Sequence, residues 1–269
     1  MEAEYAPVVR KALPALLLAF FWVWETRRPF KKYSNRWSHA GRNLTLALAN
    51  TAVLAFTVGI ATTAMAEWAG GRGYGLLAFL PLDPIVKAVA ALLMLDAWMY
   101  CWHRANHLVP VLWRFHRMHH SDPAMDVTTA TRFHLGEHLG SAVLRIVFIP
   151  IVGWELWHLV LFDTLVIAMT QFHHANISLG RWDRPLRLLI VTPDMHKMHH
   201  SDRQPETDSN YSTIFSVWDR LAGTFTMRKD LGAIVFGLRE FQDPEWQKWG
   251  GLWKTPFVSG RKAPADQDR

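Results

Sequence analysis

The chain has 269 residues, half of them hydrophobic and only 19% charged, with 14 tryptophans and a formal net charge of +6. A charged fraction below the usual quarter favours a membrane protein over an ordinary soluble domain. The single cysteine, Cys101, excludes an intrachain disulfide and any cysteine-based zinc or iron–sulfur site within the chain. Because the basic residues flank apolar stretches, anionic lipid suits this charge better than nucleic acid.

The first predicted element is an apolar segment at 12–24, followed by a basic loop at 26–42. No small-residue cleavage site follows the segment, so we expect an uncleaved membrane segment, short or tilted, rather than a signal peptide. At this length an interfacial helix is the alternative. The loop carries several lysines and arginines and no compensating run of acids, so the positive-inside rule predicts that it is cytoplasmic.

Two further membrane helices are predicted at 44–66 and 85–102, joined by a glycine-rich, nearly neutral loop. Each is about long enough to cross a hydrocarbon core of ~30 Å, and the second returns the chain to the cytoplasmic side. Asp96 lies inside the second helix, where an acid is costly and usually functional. We expect Asp96 to accept the spare N–H of a metal-binding histidine, with helix pairing as the alternative role.

Histidines dominate the stretch that follows. An H-x3-H pair is followed by an H-x2-H-H word within HRMHHSD, and this word returns eighty residues later as HKMHHSD. Histidines three or four residues apart share a helix face, and neutral imidazole binds iron, zinc, copper or nickel. Eight histidines exceed the needs of one tetrahedral zinc, so the spacing predicts a site for two metals. The eight are His103, His107, His116, His119, His120, His196, His199 and His200.

Between the two words, the chain is first polar and then apolar. His134 and His138 have i,i+4 spacing around Glu137 and are further candidate ligands. The apolar stretch 141–172 is too broken for one helix, so we predict a hairpin of two shorter helices. A hairpin returns the chain to the same side, where QFHHANI begins.

No further membrane helix is predicted after QFHHANI. A short helix is predicted from Pro193, and the amphipathic stretch 206–225 is expected to pack over the histidines. We divide the chain into transmembrane helices at 1–102, a histidine-rich domain at 103–236 that includes the hairpin, and a tryptophan-rich tail at 237–269. The last residues, from Ser259, are expected to be disordered.

These motifs resemble those of the fatty acid hydroxylase/sterol desaturase superfamily of integral-membrane di-iron enzymes. The resemblance covers about 96–236 and rests on HRANH, LWRFHRMHHSD, MDVTTATRFH, QFHHANI, VTPDMHKMHHSD and ETDSNYSTIFSVWDRLAGTF. It implies an all-α, multi-pass transmembrane helical bundle under a cytosolic helical cap, which holds a histidine-rich dinuclear metal site. It also implies O2-dependent hydroxylation or desaturation of a lipid such as a sterol or fatty acyl chain.

The resemblance carries over a set of ligands and partners. The eight histidines above would bind two Fe ions, joined by His174 of QFHHANI, with His173 as a further candidate. Asp96 and Asn176 would support these ligands from outside. The family's electron donor is separate, either cytochrome b5-like or a ferredoxin with its reductase. This chain departs from some members where Met169 and Thr170 replace a histidine before the pair.

Two other classes of function stay open at this stage. A zinc-dependent membrane lipid hydrolase would use metal-bound hydroxide and a general base such as Glu137, but three protein ligands suffice for it. A non-catalytic metal-binding or transport protein would place its ligands near the bilayer midplane rather than after the helix ends. Metal analysis and oxygen isotope labelling discriminate among the three classes.

Overall fold

The computed structural model describes residues 2–259, with side chains from residue 12 onward, and it is all-α as predicted. Within this part of the chain the only extended pairing is two isolated β-bridges. The helices are α1 Glu2–Arg27, α2 Arg36–Ala55, α3 Val58–Gly70, α4 Leu76–Phe79, α5 Pro84–Leu108, α6 Pro110–His120, α7 Leu135–Val152, α8 Leu156–His174, α9 Asp183–Leu186, α10 Pro193–His199, α11 Gln204–Thr207, α12 Val217–Leu221 and α13 Trp249–Lys254. Short 3-10 turns connect several of them, including Val127–Thr131.

Three of these helices, α5, α7 and α8, are long and apolar enough to cross a membrane. The helix predicted at 44–66 is instead split into α2 and α3, which are bent by 47° and could together form one broken span. A glycine marks the break, because a Cβ at Gly59 would lie 2.9 Å from the carbonyl oxygen of Leu54. The bend directs α3 against α7.

The apolar stretch after the first histidine word forms a helical hairpin, α7 and α8. Gly153 begins the turn in the left-handed region, at φ +83°, where glycine carries no steric penalty. The loop before α4 approaches this turn so closely that a Cβ at Gly75 would lie 2.1 Å from the backbone nitrogen of Gly153. The hairpin returns the chain to the end of the bundle where α5 finishes, and His174 is the last residue of α8.

A hydrophobic core joins the helices that could cross a membrane. It is formed by buried side chains of α3, α5, α7 and α8, among them Leu95, Ile149 and Phe162. Beyond this core, α6 and α10 begin with proline at the first helical position, Pro110 and Pro193. The fixed φ of proline suits a helix start, so both histidine words lie on short helices with defined beginnings.

The described part of the C-terminal tail, residues 237–259, packs against the histidine domain. Leu252 of α13 packs against Leu46 and Met118, and the Arg117 guanidinium donates from Nε to the Thr255 carbonyl at 3.0 Å. Residues 237–259 therefore brace α6 from outside. The expectation of disorder from Ser259 falls on residues 260–269, which lie outside the described residues.

Candidate metal centre

Nine histidines form two groups, each with donor atoms within 4.8 Å of one another. We name the groups site A and site B. Site A contains His103, His107, His116, His120 and His199. Site B contains His119, His174, His196 and His200.

The two histidine words are divided between the sites in opposite ways. His116 and His120, which share one face of α6, both belong to site A, whereas His119 points to site B. In the second word, His196 and His200 belong to site B and His199 to site A. Each word therefore contributes to both groups, and the sites are neighbours that share α6 and α10.

Within each site the imidazole Nε2 atoms approach one another at about 3 Å. In site A, Nε2 of His199 lies 2.9 Å from that of His103, and Nε2 of His120 lies 3.1 Å from that of His116. In site B, Nε2 of His174 lies 3.1 Å from that of His119 and 3.0 Å from that of His196. Nitrogens bound at about 2.1 Å to one ion are separated by distances of this order.

The hydrogen bonds of the opposite ring nitrogens show that these Nε2 atoms carry lone pairs. Nδ1 of His103 lies 2.7 Å from the Tyr211 carbonyl, and Nδ1 of His199 lies 2.7 Å from the Ser209 carbonyl. A carbonyl only accepts, so both Nδ1 atoms are protonated, and in the neutral ring Nε2 is then unprotonated. Two lone pairs facing each other at 2.9 Å repel unless a cation lies between them. The arrangement therefore fits a metal ion.

Carboxylates hold two more rings of site A. Glu137 accepts from Nδ1 of His116 through Oε1 at 2.9 Å, and Asp208 lies 3.2 Å from Nδ1 of His107. A carboxylate behind a ligand histidine fixes the tautomer and raises the basicity of the ring. The sequence had suggested Glu137 only as a possible general base, and Asp208 was not singled out.

Site B is held mainly by stacked rings. The His119 ring stacks on Phe133, with centroids 4.2 Å apart and planes 11° apart. The His196 ring stacks on His173 at 4.0 Å. Only His174 has a hydrogen bond at Nδ1 among the described residues, to the Thr170 carbonyl at 2.7 Å.

Five histidines of the two histidine words are kept neutral. Burial, followed by the proximity of other imidazoles, places their pKa values well below the ordinary value of His. A neutral imidazole is the form that binds a metal. The five affected residues are His119, His120, His196, His199 and His200.

The remaining candidate histidines do not join either site. His134 caps α7, with its Nδ1 accepting from the Gly136 backbone at 3.0 Å. His138 lies beside Phe133 on the wall of a cavity, and His173 lines the same cavity. These three residues border the centre, outside the groups that could each hold one ion.

Asp96 and Asn176 support the centre differently from the expectation. Asp96 makes its contacts with a loop rather than with a histidine: it accepts from the backbone of Ile214 and Phe215 and from the Trp218 indole at 2.8 Å. Asn176 accepts from and donates to the backbone of Lys31, at 2.9 and 2.7 Å. Both residues fix backbone segments around the sites.

The sequence predicted that 206–225 packs over the histidines, but not that the loop 208–213 within it binds two of their rings through backbone carbonyls. Its carbonyls orient His103 and His199, and Asp219 fixes it by accepting from the backbone of Tyr211 and Ser212 at 2.8 and 2.9 Å. A backbone carbonyl has no signature in sequence. The run DSN at 208–210, rich in turn-forming residues, was the available signal.

A second unpredicted element is a buried polar network behind α6. His39 of α2 lies between two aspartates, 2.9 Å from Asp122 and 3.2 Å from Asp126. Thr129 donates to Asp122 at 2.7 Å. This network fixes the chain directly after the first histidine word. The available signal in the sequence was that each histidine word ends in an aspartate, Asp122 in the first and Asp202 in the second.

A cavity of about 530 Å³ leads to the centre. Its walls come largely from α1, α2, α5, α7 and α8. Most of the exposed wall surface is apolar, with side chains such as Leu18, Leu54 and Val166, and polar side chains lie among them. At its inner end it reaches histidines of both sites, including His103 and His174. An elongated ligand could therefore extend from among the helices that could cross a membrane to both groups.

Comparisons with known proteins agree on one family. The model of the family described as fatty acid hydroxylase matches residues 88–224. Curated relatives include ornithine lipid hydroxylase OlsE of Rhizobium tropici, 30% identical over 52% of this chain and 41% of its own length. Alkylglycerol monooxygenase of Homo sapiens is 28% identical over 66% of this chain and 41% of its own length. Cholesterol 25-hydroxylase of Rattus norvegicus is 29% identical over 49% of this chain and 44% of its own length.

The chain thus spans less than half the length of these relatives. No solved structure matches it. The matched region runs from α5 to the loop after α12 and includes all nine histidines of sites A and B.

Proposed function

The chain belongs to the fatty acid hydroxylase family, and from that premise we propose that it is a membrane oxygenase that uses O2 and external electrons to hydroxylate or desaturate a lipid C–H bond. The observation that carries the proposal is the pair of neighbouring histidine sites at the end of an apolar cavity. A lipid in this cavity would meet both sites at once.

Iron suits the donor set. Nine imidazoles divided five to four exceed the three protein ligands of a catalytic zinc, and zinc has no redox chemistry. Two iron ions, when bound, would supply the redox chemistry that reduces O2 and oxidises an unactivated C–H bond. Site A would hold one ion and site B the other.

The protein would contribute position and exclusion of water. Eight of the nine histidines are buried, so the reacting atoms lie in a dry site where side reactions with water are suppressed. The carbonyls of Ser209 and Tyr211 and the carboxylate of Glu137 keep the rings of site A in one tautomer. The cavity wall would decide which carbon of the lipid faces the ions.

Topology and partners follow from the same arrangement. The basic loop 26–42 lies beside the histidine domain, since Phe30 donates from its backbone to the Asn176 carbonyl at 2.8 Å. By the positive-inside rule we propose that the histidine sites face the cytoplasm. There a separate electron donor, cytochrome b5-like or a ferredoxin with its reductase, would deliver the electrons.

Metal analysis and isotope labelling test the proposal together. Purified protein should contain two irons per chain, and with reductant and lipid extract it should consume O2. Under 18O2, a hydroxylated product should carry 18O, whereas a desaturated product should be two mass units lighter and carry none. Zinc in place of iron, with label entering the product from H2 18O instead, would identify a hydrolase and overturn the proposal.

A further inference from the structure

Three amide side chains lie on the wall of the cavity without satisfying their hydrogen-bonding capacity. Asn50, Asn106 and Gln171 are only 3%, 1% and 5% exposed. Each has at least one buried polar atom with no hydrogen-bond partner in the described part of the chain. Buried polar groups are nearly always paired, so three such residues around one cavity need a common explanation.

The existing hydrogen bonds identify the free atoms of two amides. Asn50 donates from Nδ2 to the Phe133 carbonyl at 2.8 Å, and Gln171 donates from Nε2 to the Pro14 carbonyl at 3.1 Å. Because a carbonyl only accepts, the atom bound to it must be the amide nitrogen. The free atoms, Asn50 Oδ1 and Gln171 Oε1, are therefore acceptors.

Acceptors also predominate among the remaining unpaired amide and carboxylate atoms of the wall. Both carboxamide atoms of Asn106 lack a partner, as does the second carboxylate oxygen of Glu137. The unpaired atoms of these four residues are thus four acceptor oxygens and one donor, Asn106 Nδ2. A hydrocarbon chain would leave all five of these atoms unpaired, and among them an ether or ester oxygen could pair only with the Asn106 nitrogen. Hydroxyl or N–H groups would pair with the acceptors.

All three amides lie next to histidines of the two sites. Asn106 follows His103 by three residues on α5, and Gln171 precedes His174 by three residues on α8. Asn50 binds the carbonyl of Phe133, whose ring stacks on His119. The unpaired acceptors therefore lie close to the histidines of the two sites.

From this pattern we infer that Asn50, Asn106 and Gln171 form a subsite for a hydrogen-bond donor, a hydroxyl or amine N–H group, close to the carbon of the lipid that is oxidised. The inference rests on the proposed function and narrows its substrate class to lipids with such a donor beside the reacting carbon. Lipids that present only a hydrocarbon chain to the sites, or only ether and ester oxygens, are poor ligands.

A matched pair of probe lipids tests the subsite by binding alone. The pair is a tritiated long-chain 1,2-diol and its dimethyl ether, which keeps both oxygens and the chain but removes both donors. Competition between them on the metal-loaded protein in nanodiscs is measured by scintillation proximity. The diol should bind at least about tenfold more tightly, the factor that corresponds to about 1.4 kcal/mol, the scale of one net hydrogen bond.

Two variants and one control locate the effect. Asn106→Leu and Gln171→Met keep side-chain volume but remove acceptors, so each should lower the diol preference several-fold. Thr131→Val is the matched control, because the Thr131 hydroxyl lines the cavity but already donates to the Thr128 carbonyl at 2.8 Å. This control should keep the preference of the wild-type protein.

Equal affinity of the wild-type protein for diol and ether would overturn the inference without any variant. So would binding of neither probe, or a preference that survives both amide substitutions. Failure of the subsite is distinguishable from failure of the proposed function. If lipid gains 18O from 18O2 but the two probes bind equally well, the subsite is wrong and the oxygenase proposal stands. If the protein prefers the diol but consumes no O2, the oxygenase proposal is wrong and the subsite stands.

Discussion

Sites A and B are neighbours built from the same two histidine words, yet they are held in different ways. In site A, four of five rings have a carbonyl or carboxylate at Nδ1. In site B, His174 alone has such a partner among the described residues, and His119 and His196 are held by ring stacking. Outer hydrogen bonds orient ligands before the metal arrives, so site A is the better preorganised of the two.

The comparison suggests a division of labour. A site with five ligands, four of them oriented by hydrogen bonds at Nδ1, would bind its ion tightly, whereas a site with four less constrained ligands could adjust its geometry during the proposed reaction. We therefore expect site A to bind its metal ion more tightly than site B.

Removing one ligand from each site should have unequal consequences for metal content. His200→Ala leaves site B with three imidazoles, so this variant should lose nearly one of the two metal ions per chain. His120→Ala leaves site A with four, and it should keep most of its metal. Both should lower lipid oxidation by more than the about 10–100-fold typical of outer-shell changes. Metal per chain is measured by plasma mass spectrometry.

The control for these variants is His158→Asn. His158 lies outside both sites, and its Nδ1 accepts from the Glu155 backbone at 3.1 Å, a bond that asparagine can replace. This variant should retain two metals. Loss of metal from His120→Ala with retention in His200→Ala would reverse the proposed order of the sites.

Chelation should release the two ions in separate phases. Because the rings of site B have fewer fixed orientations, its ion should leave at least about ten times faster than that of site A, consistent with the 10–100-fold effect of outer-shell partners on metal affinity. Stopped-flow mixing with a coloured iron chelator measures both phases. A single phase of two equivalents would show that the sites do not differ in this way.

Removing the hydrogen-bond acceptor behind one site A histidine should lower metal binding less than removing a histidine ligand does. Glu137→Ala removes the acceptor of the His116 Nδ1 proton, so metal affinity at site A should fall about tenfold. Glu137→Gln retains an acceptor oxygen but carries no charge, so its metal affinity should lie between those of the wild-type protein and Glu137→Ala. Titration of metal-free protein measures both variants. Equal affinities for wild type, Gln and Ala would show that Glu137 does not support the site.

Acidification should destabilise the metal-free protein. The pKa values of the five α6 and α10 histidines are lowered by burial, while in the unfolded chain they return to about 6.5. Below that pH the unfolded state binds more protons, so stability falls as pH decreases toward the folded values. Thermal unfolding between pH 7.5 and 5.5 should show a Tm that falls by several degrees, and a constant Tm would contradict the burial of neutral imidazoles.

Much of the fold was predictable because its determinants are local. The apolar runs predicted α5 and the α7–α8 hairpin, and Pro193 predicted the start of α10. The break between α2 and α3 was not predicted, since the break itself contains no proline and Gly59 follows it. The close approach of Gly59 to Leu54 becomes apparent only in three dimensions.

The sequence identified the histidines of the two sites, but not how they are divided between site A and site B. Helical spacing indicated that His116 could pair with His119 or His120, and both pairings share a face. The assignment of His116 with His120 depends on how α6 meets α5 and α10, which is tertiary information. The supporting roles of Ser209 and Tyr211 depend on backbone carbonyls, and these are independent of side-chain identity.

We propose that nine histidines hold two separate ions. Crystallography at the iron absorption edge, on protein purified with its native metal, would locate these ions. We expect two anomalous peaks, one surrounded by the five site A histidines and one by the four of site B. A single peak, or peaks bound outside these nine residues, would contradict it.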